Sequence, residues 1–377
     1  MLVKRRLVVI PLAFLTLLLF SHFFSSPRPY SDAIIPANST LGFGAIIAVS
    51  HSQSPRRASL LWAAYLTNID IDFKSNESST ISRGSALAWM GHLHALKWFL
   101  NTTHSTALII EDDTDFSLSI RQSQIPLLAA AIRTLFNTTS PFTPAEYFGP
   151  QAAWDILYPG HCDDLPSPLY ASHLALLYAD PTAPQLPALH PATHHFLQYL
   201  RVSPRSRLVH RALYPFCTFA YAVTRTSALR VVEEFGHEKK GGISAFDVQL
   251  LEACRDGWRC WEVGPELFHH GVGRSEISRA DRQTYFRTRG FVGEEAGKGR
   301  DVDVDLVQQE SGYVRATWNI GCGARSSEFW VGEGDEKGRE EVRRAVRGYV
   351  QRGECPLWGM GEDGWGGCEE GECGAQS

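Results

Sequence analysis

The chain has 377 residues, 44% of them hydrophobic and 20% charged, the balance of a globular protein. Disorder along the whole length is excluded, as are collagen and coiled-coil architectures. The length suits two or three domains, or one large α/β domain with appendages. Lys plus Arg number 36 against 41 Asp plus Glu, a net charge of -5, so the basic excess of a dedicated nucleic-acid binder is missing.

Lys4, Arg5 and Arg6 precede an apolar run from Leu7 to Phe24, broken only by Thr16 and Ser21-His22. Its 18 residues are at the short end of what crosses a bilayer. Positive charge ahead of the run keeps the N-terminus cytosolic and sends the rest to the lumen. Residues 1–24 are therefore expected to be a type II signal-anchor helix, with a cleaved signal peptide as the alternative. Either sends the body into the secretory pathway, and the anchor reading places it at the Golgi or ER membrane. Residues 25–40, rich in Ser and Pro, read as a stem linker. Sequons at Asn38, Asn76, Asn101 and Asn137 agree with luminal exposure. So do eight cysteines, all beyond the anchor. No CxxC pair occurs, so disulfides are expected, with their pairing open.

Residues 44–49 form a continuous apolar run suited to a strand buried on both faces of a parallel sheet. A helix is expected from about Pro55 to Tyr65, and a strand over residues 69–73. The next helix runs from Ser85 to about Leu100, with Trp89, Leu93, Leu96 and Leu100 on one face. Residues 107–110 are a second buried-type strand. This order argues for an α/β sheet with helical crossovers. Residues 140–215, rich in Pro and His and with little periodicity, are expected to hold long loops around a site. A strand is expected at 219–223, helices at 227–235 and 246–255, and a strand near 261–263. From residue 291 the composition shifts: this tail has 18 of the 32 glycines and 10 basic against 18 acidic residues. It reads as a separate, loop-rich acidic appendage over 291–377, partly disordered, behind a main domain over 41–290.

The strand Ala107-Leu108-Ile109-Ile110 ends in Glu111-Asp112-Asp113. Ligands of open α/β sheets bind beyond the carboxyl ends of strands. Adjacent carboxylates repel one another, and a hard divalent cation such as Mn2+ or Mg2+ relieves that cost while bridging to phosphates. A solvated acidic turn is the plain alternative. Arg56 and Arg57 are candidates for contacting phosphates, and Asp115 offers a second Asp-x-Asp reading with Asp113. His269-His270 follow a strand end, and His269 is a candidate metal ligand. Asp247 is a candidate general base, or else a helix N-terminal residue favoured by the macrodipole.

Six segments in order resemble the family 25 glycosyltransferases, which include lipooligosaccharide and procollagen galactosyltransferases. They are Arg83 to Trp98 with Gly91-His92, Leu108 to Asp113, Trp154 to Gly160, Thr218 to Ala228, Ala245-Phe246-Asp247, and Pro265 with Ser275-Glu276-Ile277. The resemblance covers about residues 44–280. It implies a GT-A-like nucleotide-diphospho-sugar transferase sheet and transfer of a hexose, galactose first, from a UDP-sugar. The acceptor would be a hydroxyl of a glycan or glycoprotein. It also implies that Glu111 and Asp113 flank metal and diphosphate, with Asp112 toward the ribose. Trp154 and Asp155 would be donor or acceptor contacts, or Trp154 core. The family's Ser-His and Ser-Asp-Ile appear here as Gly91-His92 and Ser275-Glu276-Ile277. A catalytically silent relative that binds a nucleotide sugar or glycan is the second reading.

Overall fold

A computed structural model describes residues 34–74, 84–138, 143–162, 166–185, 188–236, 245–271, 317–332 and 334–359. The expected signal-anchor, the sequon at Asn76, and Ser275-Glu276-Ile277 lie outside the described residues. Asn38, Asn101 and Asn137 are exposed. No helix among the described residues is long and apolar enough to cross a membrane.

The chain opens with β1 (Ala45–Val49), α1 (Arg56–Thr67), β2 (Asp72–Lys74), α2 (Gly84–Leu100) and β3 (Thr106–Glu111). β1 pairs in parallel with both β2 and β3, the helices serving as crossovers. The apolar runs of β1 and β3 are buried because both faces of the sheet are covered. Ile46, Ala48, Leu108 and Ile110 join one core cluster, and Ala45, Ile47, Ala107 and Ile109 the other. α1 stops at Asn68, whose left-handed backbone (φ 55°) lets its N–H cap carbonyls of the last turn.

Beyond β3 come β4 (Thr114–Phe116), α3 (Ile125–Leu135), β5 (Ile156–Cys162), β6 (Ala175–Ala179), α4 (Pro191–Tyr199) and β7 (Ser206–Arg211). β8 (Phe216–Thr224), α5 (Arg225–Phe235), α6 (Phe246–Arg255), β9 (Cys260–Gly264), β10 (Phe268–His270) and α7 (Glu336–Gln351) complete the series. The main sheet is mixed and eight-stranded, in the order β2-β1-β3-β8-β5-β9-β7-β6, and β10 pairs with β4 in a small antiparallel ribbon. β8 lies antiparallel between β3 and β5, so β3 and β5 run the same way. The expected α/β sheet with helical crossovers is present.

Two expectations are corrected. Residues 140–215 carry three strands and a helix among their loops, more regular structure than the sequence reading gave them. Their signal is masked by buried polar residues with partners, such as Arg207, whose Nε meets Asp180 Oδ2 at 2.6 Å. In β5 it is masked by Pro159-Gly160, where the pairing with β8 slips register. A Cβ on Gly160 would lie 2.8 Å from the Phe268 Cβ, so this glycine lets β10 approach.

The tail is not a separate appendage where it is described. Cys322, Ala324, Phe329, Val346 and Cys355 join the same core cluster as Leu60 and Leu108. Trp62 Nε1 donates to the Phe329 carbonyl at 2.9 Å. Arg339 and Arg343 of α7 lie over the Trp62 and Tyr65 rings at 4.6 and 4.3 Å. A few apolar residues and stacked guanidinium groups do this packing, so a charge-rich composition hides it. Disulfides join Cys162 to Cys217, Cys254 to Cys260 and Cys322 to Cys355. Cys368 and Cys373 lie outside the described residues.

Candidate functional site

β1 and β3 end at one edge of the sheet, and β8 begins there. This edge gathers Ser50 after β1, Glu111-Asp112-Asp113 at the end of β3, and Thr218 near the start of β8. Glu111 Oε1 accepts from Thr218 Oγ1 at 2.8 Å and lies 3.5 Å from His92 Nε2. Burial alone would raise this carboxyl. The hydrogen bond and charge of His92, with Thr218 and His270, bring it below the ordinary range instead. His92 is itself buried: its Nδ1 faces Tyr221 Oη at 3.3 Å, and its ring stacks on Phe246 at 4.8 Å.

Asp112 Oδ2 accepts from Ser50 Oγ at 2.7 Å. Arg56 Nη1 lies 3.6 Å from Asp112 Oδ1 and 3.5 Å from Asp113 Oδ2. The other oxygen of Asp113, Oδ1, is buried and has no hydrogen-bond partner among the described residues. Burial, and then the neighbouring charge of Glu111, push the Asp113 carboxyl up to about 7, against the pull of Arg56. Asp247, in the first turn of α6, accepts the N–H of Val248 at 2.8 Å. Burial and the charge of Glu111 raise its carboxyl, while the Cys217 N–H and the His92 charge oppose them. The fold thus brings Arg56, Glu111, Asp112, Asp113 and Asp247 to one edge.

Other candidates sit elsewhere. Arg57 turns toward β2: its Nη1 donates to the Ser52 carbonyl at 3.2 Å, and its guanidinium covers the Phe73 ring at 4.7 Å. Asp115 is 2% exposed and engaged: Oδ1 accepts from the N–H groups of Phe116 and Arg325, and Oδ2 from Thr317 Oγ1. It braces the C-terminal segment, and the Asp113-x-Asp115 ligand pair is not formed. His269 is buried, with Nδ1 2.7 Å from Glu266 Oε1, an oxygen that also accepts from Asn319 Nδ2 at 2.6 Å. Its neighbour His270 is the exposed one, and Gly271 N–H donates to the Asp113 carbonyl at 2.6 Å. Trp154 and Asp155 precede β5 and therefore lie at the opposite edge. Trp154 is core, and Asp155 holds Arg259 through two bonds of 2.9 and 2.7 Å.

Among the described residues, no three His, Cys, Asp or Glu side chains form a group that could hold a metal ion. The acidic turn nonetheless fits a hard cation. Its donors are carboxylate oxygens, Asp113 Oδ1 is orphaned among the described residues, and the Asp113 carboxyl is raised by burial first and then by the charge of Glu111, the part that a cation would relieve. Ser50 and Arg325 escaped the sequence reading, and Thr218 entered it only as the start of a segment, without a role. Arg325 bonds the main chain of the acidic turn from 213 residues away, and no local pattern marks it.

No family model matches the chain, and no curated protein matches it. Among solved structures it is similar to a glycosyltransferase involved in the glycosylation of the major capsid of PBCV-1. That likeness covers 65% of this chain and 99% of the other, with a TM-score of 0.32 and 11% identity, too slight to carry a function across.

Proposed function

We propose that this chain is a glycosyltransferase that moves a hexose from a UDP-sugar to a hydroxyl of a glycan or glycoprotein in the secretory lumen. Galactose is the first sugar to test, following the resemblance to family 25. The observation that carries the reading is the orphaned, buried Oδ1 of Asp113 beside Arg56, at the carboxyl edge of a sheet. An acidic turn made only for solvent would not hold such a group.

In this reading Arg56 meets the donor diphosphate, its charge poised between Asp112 and Asp113. Glu111 and Asp113 would hold Mn2+ or Mg2+, with His270 beside them. A bound cation would offset the charge that gathers on the departing diphosphate. Thr218 and His92 keep the Glu111 carboxylate ionised and fixed. Asp247 takes the proton of the acceptor hydroxyl, for which a carboxyl raised by burial is better suited than an ordinary one. Asp113→Ala is expected to fold normally by circular dichroism and to lose transfer. Wild-type turnover in that variant would refute the site.

A further inference from the structure

The segment that composition sets apart from the sheet sends a side chain into the centre of the site. Arg325 Nη1 donates to the carbonyls of Asp112 and Thr114, at 2.8 and 3.0 Å. These two carbonyls bracket Asp113. Nη2 donates to Ser59 Oγ at 2.6 Å and lies 3.4 Å from the Arg56 carbonyl, both in the first turn of α1. The Arg325 N–H reaches Asp115 Oδ1 at 3.0 Å. One guanidinium therefore spans the acidic turn and the helix start that carries Arg56.

Its side-chain hydrogen bonds go to carbonyls and a hydroxyl rather than to carboxylates. What it fixes is geometry: a planar fork can hold acceptors on two elements at set angles, and an ammonium on a flexible stem cannot. The strap that carries it is itself anchored. Thr317 Oγ1 binds Asp115 at 2.8 Å, Asn319 binds Glu266, and Cys322 is tied to Cys355.

We infer that Arg325 is a positioning residue of the donor site: it sets the gap between Arg56 and Asp113 and so the grip on a nucleoside diphosphate. The inference rests on the donor-site reading above. It also makes the C-terminal segment, which lies outside the family 25 resemblance, a necessary part of the site.

The test uses the full-length chain and Arg325→Lys, which keeps the charge and loses the fork. Three quantities are measured: melting temperature, hydrogen exchange of residues 111–116, and calorimetric binding of UDP with Mn2+. The variant is expected to melt within a few degrees of wild type and to exchange faster in this turn alone. It should bind UDP about tenfold more weakly, the scale of losing a residue that orients a ligand. Ser59→Ala, which removes one acceptor of the fork, should shift both quantities the same way by less. Unchanged UDP affinity and exchange in Arg325→Lys would overturn the inference. So would a general loss of stability with exchange raised throughout, the mark of a fold support. Failure of the wild-type chain itself to bind UDP with Mn2+ would sink the donor-site reading, and this inference with it.

Discussion

Asp113 is the residue on which the electrostatics of the site converge. Its carboxyl is pushed up to about 7, first by burial and then by the charge of Glu111. The unfolded chain releases this proton near pH 4, the ordinary Asp value. Between about pH 4 and 7 the cation-free native state therefore holds a proton that the unfolded state has lost. Stability falls as pH rises through that window, and the loss is complete above about pH 7. Asp113→Asn removes the effect. Melting curves in EDTA from pH 5 to 8 should show wild type losing ground to the variant as pH rises. Parallel curves would mean that Asp113 titrates as an ordinary carboxylate. A cation beside Oδ1 would supply what the proton supplies at low pH.

At the scale of elements, β4 is where the main sheet, the ribbon and the C-terminal segment meet. Its Asp115 accepts three hydrogen bonds, two of them from Thr317 and Arg325. Asp115→Ala would strand these buried donors and is expected to cost about 3 kcal/mol of stability, read from urea denaturation. A loss under about 1 kcal/mol would show that the segment docks without it. The elements differ in how far the sequence revealed them. β1, β3 and α2 were legible because their apolar residues are continuous or helically spaced. β5 and β7 were not, because Pro159-Gly160 interrupts one and buried Arg207 and His210 occupy the other. Glu111 to Asp113 were legible as acids closing an aliphatic strand. Arg57 and His269 stand away from this edge because neighbours in sequence turn to different partners. Arg57 goes to Phe73 while Arg56 goes to the acids, and His269 goes to Glu266 while His270 stays at the edge. Arg325 depends on a fold-back across more than half the chain, which no local pattern encodes.

At the scale of the whole molecule, the described residues form one α/β body whose C-terminal segment closes over the acidic turn. The disulfides serve this arrangement. Cys162–Cys217 ties the end of β5 to the start of β8 at the site edge, and Cys322–Cys355 holds the strap that carries Arg325. The three disulfides among the described residues are of the kind that persists in an oxidising compartment, the setting of the proposed nucleotide-sugar transfer. The central claim is that the edge built by Arg56, Glu111 and Asp113 grips a nucleotide sugar through a divalent cation. It is tested most directly by calorimetry of the full-length chain against a panel of UDP- and GDP-sugars, in Mn2+ and in EDTA. Binding of a UDP-sugar in Mn2+, lost in EDTA, is the result this account predicts. No binding of any nucleotide sugar under either condition would contradict it and return the acidic cluster to an ordinary turn.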